Sequence, residues 1–112
     1  MQTLEQLLQS HCQEQSGTAY TDEAVTQQLQ VLPDWQYLDG ALQKTYRFKN
    51  YYETLAYVNA LAFMVHREDH HPDLLVGYNR CQVRYNTHSI GGISDNDFIC
   101  AAKADAIFNL KH

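Results

Sequence analysis

Apolar residues in this chain change their spacing several times, and each change marks a predicted element. Val25, Leu29 and Leu32 recur at helical intervals behind Thr21, a suitable N-cap, and an acidic first turn of Asp22 and Glu23. Pro33 ends that helix. The period then falls to two around Asp39-Gly40, a two-residue hairpin signal. On the second strand Leu42, Lys44, Tyr46 and Phe48 share one face, and Gln43, Thr45 and Arg47 the other. Asn50, with Glu53 three residues on, reads as a capping box. It opens a helix whose predicted core stripe is Leu55, Val58, Ala62 and Val65, ending near His66. After Pro72, strands are predicted in DLLVGY and RCQVRYNTH, joined near Tyr78 and Asn79. In the second of these, Cys81, Val83, Tyr85 and Thr87 alternate with Arg80, Gln82, Arg84, Asn86 and His88. Gly91-Gly92 breaks the strand, and Ser94 caps a last helix with Phe98, Ala101, Ala102, Ala106 and Phe108 as its stripe.

Two hairpins interleaved with helices, in the order α-β-β-α-β-β-α, predict an α+β domain. Its sheet is four-stranded and antiparallel, with three helices packed on one face and the other face partly open, His88 pointing towards it. The domain is expected over residues 21–112. Residues 1–20 are rich in Gln and read as an N-terminal extension, where Leu4, Leu7 and Leu8 mark a short helix that lies on the domain or frays.

Composition narrows the function classes. A chain of 112 residues that is 45% apolar can bury a core as one domain. The net charge of −5 excludes a general affinity for nucleic acid, leaving only Arg80 and Arg84 as a weak local strip. Cys12, Cys81 and Cys100 cannot all pair with one another and match no zinc spacing, so reduced thiols are expected. The N-terminus lacks a basic start and an apolar run, and no stretch approaches the ~20 apolar residues of a membrane helix. A cytoplasmic chain without a membrane span is expected. The alanines of the final helix suit close packing, either against a second copy or within the domain.

The chemistry concentrates in EDHHPDLLVGYNRCQVRYNTHS, residues 68–89. A metal needs converging ligands, and the adjacent His70 and His71 diverge, even with Asp69, Asp73 or His88 to assist. Proton transfer asks less of the geometry, because imidazole exchanges protons near neutral pH. His11, His66 and His112 carry no pattern. No Gly-x-Ser-x-Gly elbow or phosphate-binding glycine loop is present. Asp97, three residues after Ser94, is accounted for by a capping box.

The spaced set His66-x-x-x-His70-His71-Pro72, then Tyr78, His88 and Asp97, resembles the pterin-4a-carbinolamine dehydratase family. So do LPDW, YRFKNYYETLAYVNALA, THSIGG and NDFICAAKAD, and the likeness runs from about residue 21 to 110. The resemblance, strongest to short bacterial members, implies one four-stranded antiparallel sheet with helices on one face. It implies an enzyme, a hydro-lyase that dehydrates a 4a-hydroxytetrahydropterin such as 4a-hydroxytetrahydrobiopterin to the quinonoid dihydropterin. It places the reaction in tetrahydropterin recycling for an aromatic amino acid hydroxylase, typically phenylalanine hydroxylase. No metal and no organic cofactor are implied, the pterin being the substrate.

His70, His71 and His88 are implied as the catalytic trio, His71 and His88 exchanging protons while His70 positions the pterin. Substrate contacts are implied at Asp69, His70, His71, Asn86, Thr87, His88 and Ser89, with Asp97 in support. Asn86 stands where other members often carry Ser, Leu74 replaces a frequent aromatic, and His66 sits at a position more often acidic. The family forms homodimers or homotetramers. In animals it also supplies non-enzymatic binding partners that stabilise a transcription factor, so a regulator of a hydroxylase or of a transcription factor is the alternative function.

Overall fold

The structure is a computed structural model and describes residues 1–110. Asp39 and Gly40 both take positive φ, 52° and 76°, the left-handed pair that a two-residue hairpin turn requires. They join β1 (Gln36–Leu38) to β2 (Ala41–Arg47). β2 pairs antiparallel with β4 (Arg80–Tyr85), from Leu42 opposite Tyr85 to Arg47 opposite Arg80. β3 (Asp73–Val76) lies on the far side of β4, so the order is β1-β2-β4-β3 and all neighbours are antiparallel.

Among the described residues four α-helices accompany the sheet: α1 (Leu4–Gln9), α2 (Asp22–Gln28), α3 (Tyr51–Glu68) and α4 (Asp95–Phe108). The three expected helices are present, and the short α1 joins them. Leu42 and Tyr46 of β2 and Cys81, Val83 and Tyr85 of β4 form one core with Tyr57, Leu61 and Met64 of α3 and Phe98, Ala101 and Ala102 of α4. Each large apolar side chain buried here contributes roughly 1.5–3 kcal/mol. Leu7 of α1 belongs to the same core and is fully buried, while Thr3 and Gln6 close a capping box at the start of α1. All three cysteines are free, with Cys81 and Cys100 in the core. No helix among the described residues is long and apolar enough to cross a membrane.

Three local expectations are corrected. α3 buries Thr54, Tyr57, Leu61, Met64 and Glu68, whereas the predicted stripe is displaced sideways, with Leu55, Val58 and Val65 half-buried and Ala62 exposed. Both stripes have helical period, and the decision falls to partners for polar tips. The Tyr57 hydroxyl donates to the Ala104 carbonyl at 3.0 Å, and the Thr54 hydroxyl to the Tyr78 carbonyl at 2.9 Å. The Asn50 side chain caps the Glu53 N–H, but Glu53 accepts from Lys49 N–H at 3.1 Å and does not return a bond to Asn50. In α4 the inward face includes Ile99, Cys100 and Ala104, while Ala106 is exposed and Phe108 lies at the edge against Tyr46 and Tyr57. Ala101, Ala102 and Ala104 are consumed by packing within the domain.

The displaced stripe is testable by urea denaturation. Leu61→Ala is expected to lower the unfolding free energy by roughly 2–5 kcal/mol. Ala62→Ser, one residue along, should change it by less than about 0.5 kcal/mol. Equal losses at the two positions would contradict the burial described.

Candidate functional site

The site begins where α3 stops. Asp69 takes a left-handed conformation, φ 52° and ψ 42°, with its N–H on the Val65 carbonyl at 2.8 Å. Aspartate tolerates this region better than most side chains, and such a residue is a common helix terminator. The turn brings His70 to the first turn of α4, where its Nε2 lies 2.6 Å from Asp97 Oδ1. The imidazole stacks on Tyr85 at the end of β4, with ring centroids 5.3 Å apart and planes 11° from parallel.

Asp97 is wholly buried. Its Oδ2 accepts from Ser94 N–H at 2.9 Å, closing the capping box, and from the Thr87 hydroxyl at 2.8 Å. Thr87 Oγ1 is also 2.6 Å from Ser94 Oγ. Since the one hydroxyl hydrogen of Thr87 goes to Asp97, Ser94 donates to Thr87 and its oxygen accepts the Asn96 N–H. A carboxylate only accepts, so His70 Nε2 is the donor and Nδ1 is the free nitrogen of the ring. The capping account of Asp97 is therefore correct and incomplete.

His70, Asp69, Thr87 and Ser89 border one polar cavity of about 440 Å³, which Glu68, Asn96 and residues 12–15 complete. Small-molecule sites span roughly 300–1,000 Å³. The other predicted residues do not border it. β4 ends at Tyr85, and Thr87 leaves the ladder to bridge Gly92 through its N–H at 2.8 Å. His88 consequently opens a 3₁₀ turn, His88–Ile90, closed by Gly91 at φ 67°. It is exposed there and does not continue the outer face of the sheet, which corrects the strand-based expectation. Asn86 is half-buried. His71 is exposed, 4.0 Å from the exposed Asp69 carboxylate, and faces a separate groove with His66, Pro72 and Leu74. His112 lies outside the described residues.

Sequence reasoning missed Glu68, Asn96 and the chain from His11 to Gln15. The signal was a carboxylate on a buried stripe: Glu68 follows Leu61 and Met64 inward. Glu68 accepts from Lys103 Nζ at 2.6 Å, from Cys12 N–H at 2.8 Å and from His11 Nδ1 at 3.0 Å. Burial works against its charge, yet Lys103, the Cys12 amide and His11 outweigh it and hold the carboxyl down at about 2.

A family model described as pterin 4 alpha carbinolamine dehydratase matches residues 18–107. A protein of Nitrosospira multiformis, provisionally named a pterin-4-alpha-carbinolamine dehydratase, is 50% identical over 110 residues, covering 96% of this chain and 97% of its own. A relative of the same provisional name from Bdellovibrio bacteriovorus is 57% identical over 93 residues, 80% of this chain and 78% of its own. A crystal structure of a transcriptional coactivator/pterin dehydratase from Brucella melitensis superposes with a TM-score of 0.76 at 29% identity, covering 80% of this chain and 98% of that one. A pterin dehydratase-like protein described as a RuBisCO assembly factor in the alpha-carboxysome shares the fold at a TM-score of 0.57 and 22% identity, over 69% of this chain and 89% of that one.

The Glu68 cluster gives a pH dependence with a definite sign. Its folded-state value lies below the ordinary 4.5, so the stabilisation is complete above about pH 5 and disappears as pH falls towards 2. Urea unfolding should find wild type more stable than Glu68→Gln by on the order of 2–3 kcal/mol at neutral pH, with the difference closing across that acid range. A difference independent of pH would assign the effect to something other than the carboxylate.

Proposed function

Because the chain belongs to the pterin-4a-carbinolamine dehydratase family, we propose that it dehydrates a 4a-hydroxytetrahydropterin, such as 4a-hydroxytetrahydrobiopterin, to the quinonoid dihydropterin. A ring nitrogen releases its proton, its electron pair forms the new C=N bond, and the 4a-hydroxyl accepts a proton and departs as water. The protein has only to move protons, which is worth roughly 10²–10⁴-fold in rate. No metal or organic cofactor enters the proposal, since the substrate carries its leaving group beside the nitrogen that expels it.

The observation that carries this reading is a histidine fixed on the wall of a polar cavity by a buried carboxylate. His70 has its Nε2 committed to Asp97 and its ring face committed to Tyr85. A group held in this way orients a flat ligand, as the positioning role requires. His71 and His88 are exposed rings without such a tether. They are proposed to exchange protons with the 4a-hydroxyl and the ring nitrogen. Asp69, Asn86, Thr87 and Ser89 are proposed as pterin contacts, with Asp97 acting through His70.

The proposed setting is pterin recycling in the cytoplasm beside an aromatic amino acid hydroxylase, typically the phenylalanine enzyme. Assembly as a homodimer or homotetramer is supported by β3, an edge strand with Leu74, Leu75 and Val76 all exposed. The coactivator named in the Brucella structure favours a second reading, a binding role towards a transcription factor or a hydroxylase.

The test generates the 4a-hydroxytetrahydropterin with a phenylalanine hydroxylase and follows the quinonoid product by absorbance. Wild type, with or without a chelator, is expected to accelerate its formation. His71→Ala and His88→Ala should each lower kcat by about 10²-fold or more. His70→Ala should act mainly on KM. A folded wild type without activity would transfer the proposal to the binding role, and a largest kcat loss in His70→Ala would reverse the assignment of roles.

A further inference from the structure

The cavity has a wall that the proposed proton transfers do not use. Residues 11–15 lie outside the stretch matched by the family model, yet they cross between the ends of the two helices that present His70 and Asp97. Cys12 N–H donates to Glu68, the last residue of α3. Gln13 N–H donates to Asn96 Oδ1 at 3.0 Å, and Asn96 Nδ2 donates back to the Gln13 carbonyl at 2.7 Å. Ser89 Oγ donates to the Gln15 carbonyl at 3.4 Å. Further along, Tyr20 N–H donates to the Ile93 carbonyl at 2.9 Å.

Asn96 is only 7% exposed and Glu68 only 8%. A buried amide bonded to both the N–H and the C=O of one residue fixes the position of that residue in both directions along the chain, and releasing it would orphan buried polar atoms. The segment is thereby held in register with the His70–Asp97 pair. It carries Glu14 to the border of the cavity.

Building on the dehydratase reading, we propose that residues 11–15 are a fixed wall of the pterin site and that Glu14 is a binding residue on it. Asn96 and Glu68 are positioning residues that hold the wall. A carboxylate presents two acceptors side by side, and the pyrimidine edge of a pterin presents two adjacent N–H donors, the ring N–H and the 2-amino group. This edge lies away from the 4a-hydroxyl, so the wall determines affinity and leaves the elimination step to the histidines.

Steady-state dehydration by the full chain tests this with Glu14→Gln, Asn96→Ala and the double variant. Glu14→Gln is expected to raise KM about tenfold, the effect of one lost charge-assisted contact, with kcat within about twofold. Asn96→Ala should raise KM by a similar factor, and the double variant should match the larger single effect, since both remove the same contact. If Asn96→Ala fails to fold, Glu14→Gln on the exposed segment decides alone. An unchanged KM in Glu14→Gln, or a loss confined to kcat, overturns the wall while leaving the dehydratase reading in place. A folded wild type that dehydrates nothing removes the reading, and the wall goes with it.

Discussion

A carboxylate with no exposed surface organises the candidate site. Burying Asp97 alone would cost several kcal/mol, and the structure offsets this with three donors and a helix N-terminus. Each donor arrives from a different piece of chain. Ser94 N–H comes from the start of α4, the Thr87 hydroxyl from the exit of β4, and His70 Nε2 from the turn after α3. The carboxylate begins α4 and positions an imidazole, just past the residue that ends α3, through the same four polar side chains. The cap and the functional geometry are therefore inseparable, because moving α4 moves His70.

Helix ends supply the rest of the electrostatics. Asp97 sits at the favourable, positive end of α4, whereas Glu68 sits at the unfavourable, negative end of α3. The second placement persists because Lys103, the Cys12 amide and His11 converge on it. A third polar cluster lies elsewhere, where Trp35, Lys44 and Tyr46 all donate to Asp105 Oδ1 and bind α4 to the sheet. Buried polar groups that are fully partnered specify one arrangement of a core that apolar packing alone would leave permissive. Here they fix the relative placement of α3, α4 and β2.

The elements themselves were legible because their signals are local. Asp39-Gly40 demands a left-handed pair, Ser94 and Asp97 close a box within one turn, and β4 buries alternate residues as a half-covered strand must. The choice between adjacent stripes on α3 was not legible, since Leu61 and Ala62 share one period and only the neighbouring helix and sheet distinguish them. His88 was misplaced for a similar reason. Alternation continues through Thr87 in the sequence, but the bond from Thr87 to Asp97 draws the chain out of the ladder.

By itself the sequence determined the kind and order of the elements, the family motif and the presence of His70, His71 and His88 within it. These depend on residue type and spacing, which the chain carries in one dimension. Tertiary structure alone decided that His70 is tethered and stacked while His71 and His88 stand exposed. It alone brought Gln13 to Asn96, 83 residues apart, and Cys12 to Glu68, 56 residues apart. Such pairings are chosen by which buried donors and acceptors satisfy one another once the helices have packed, and no local period encodes that choice.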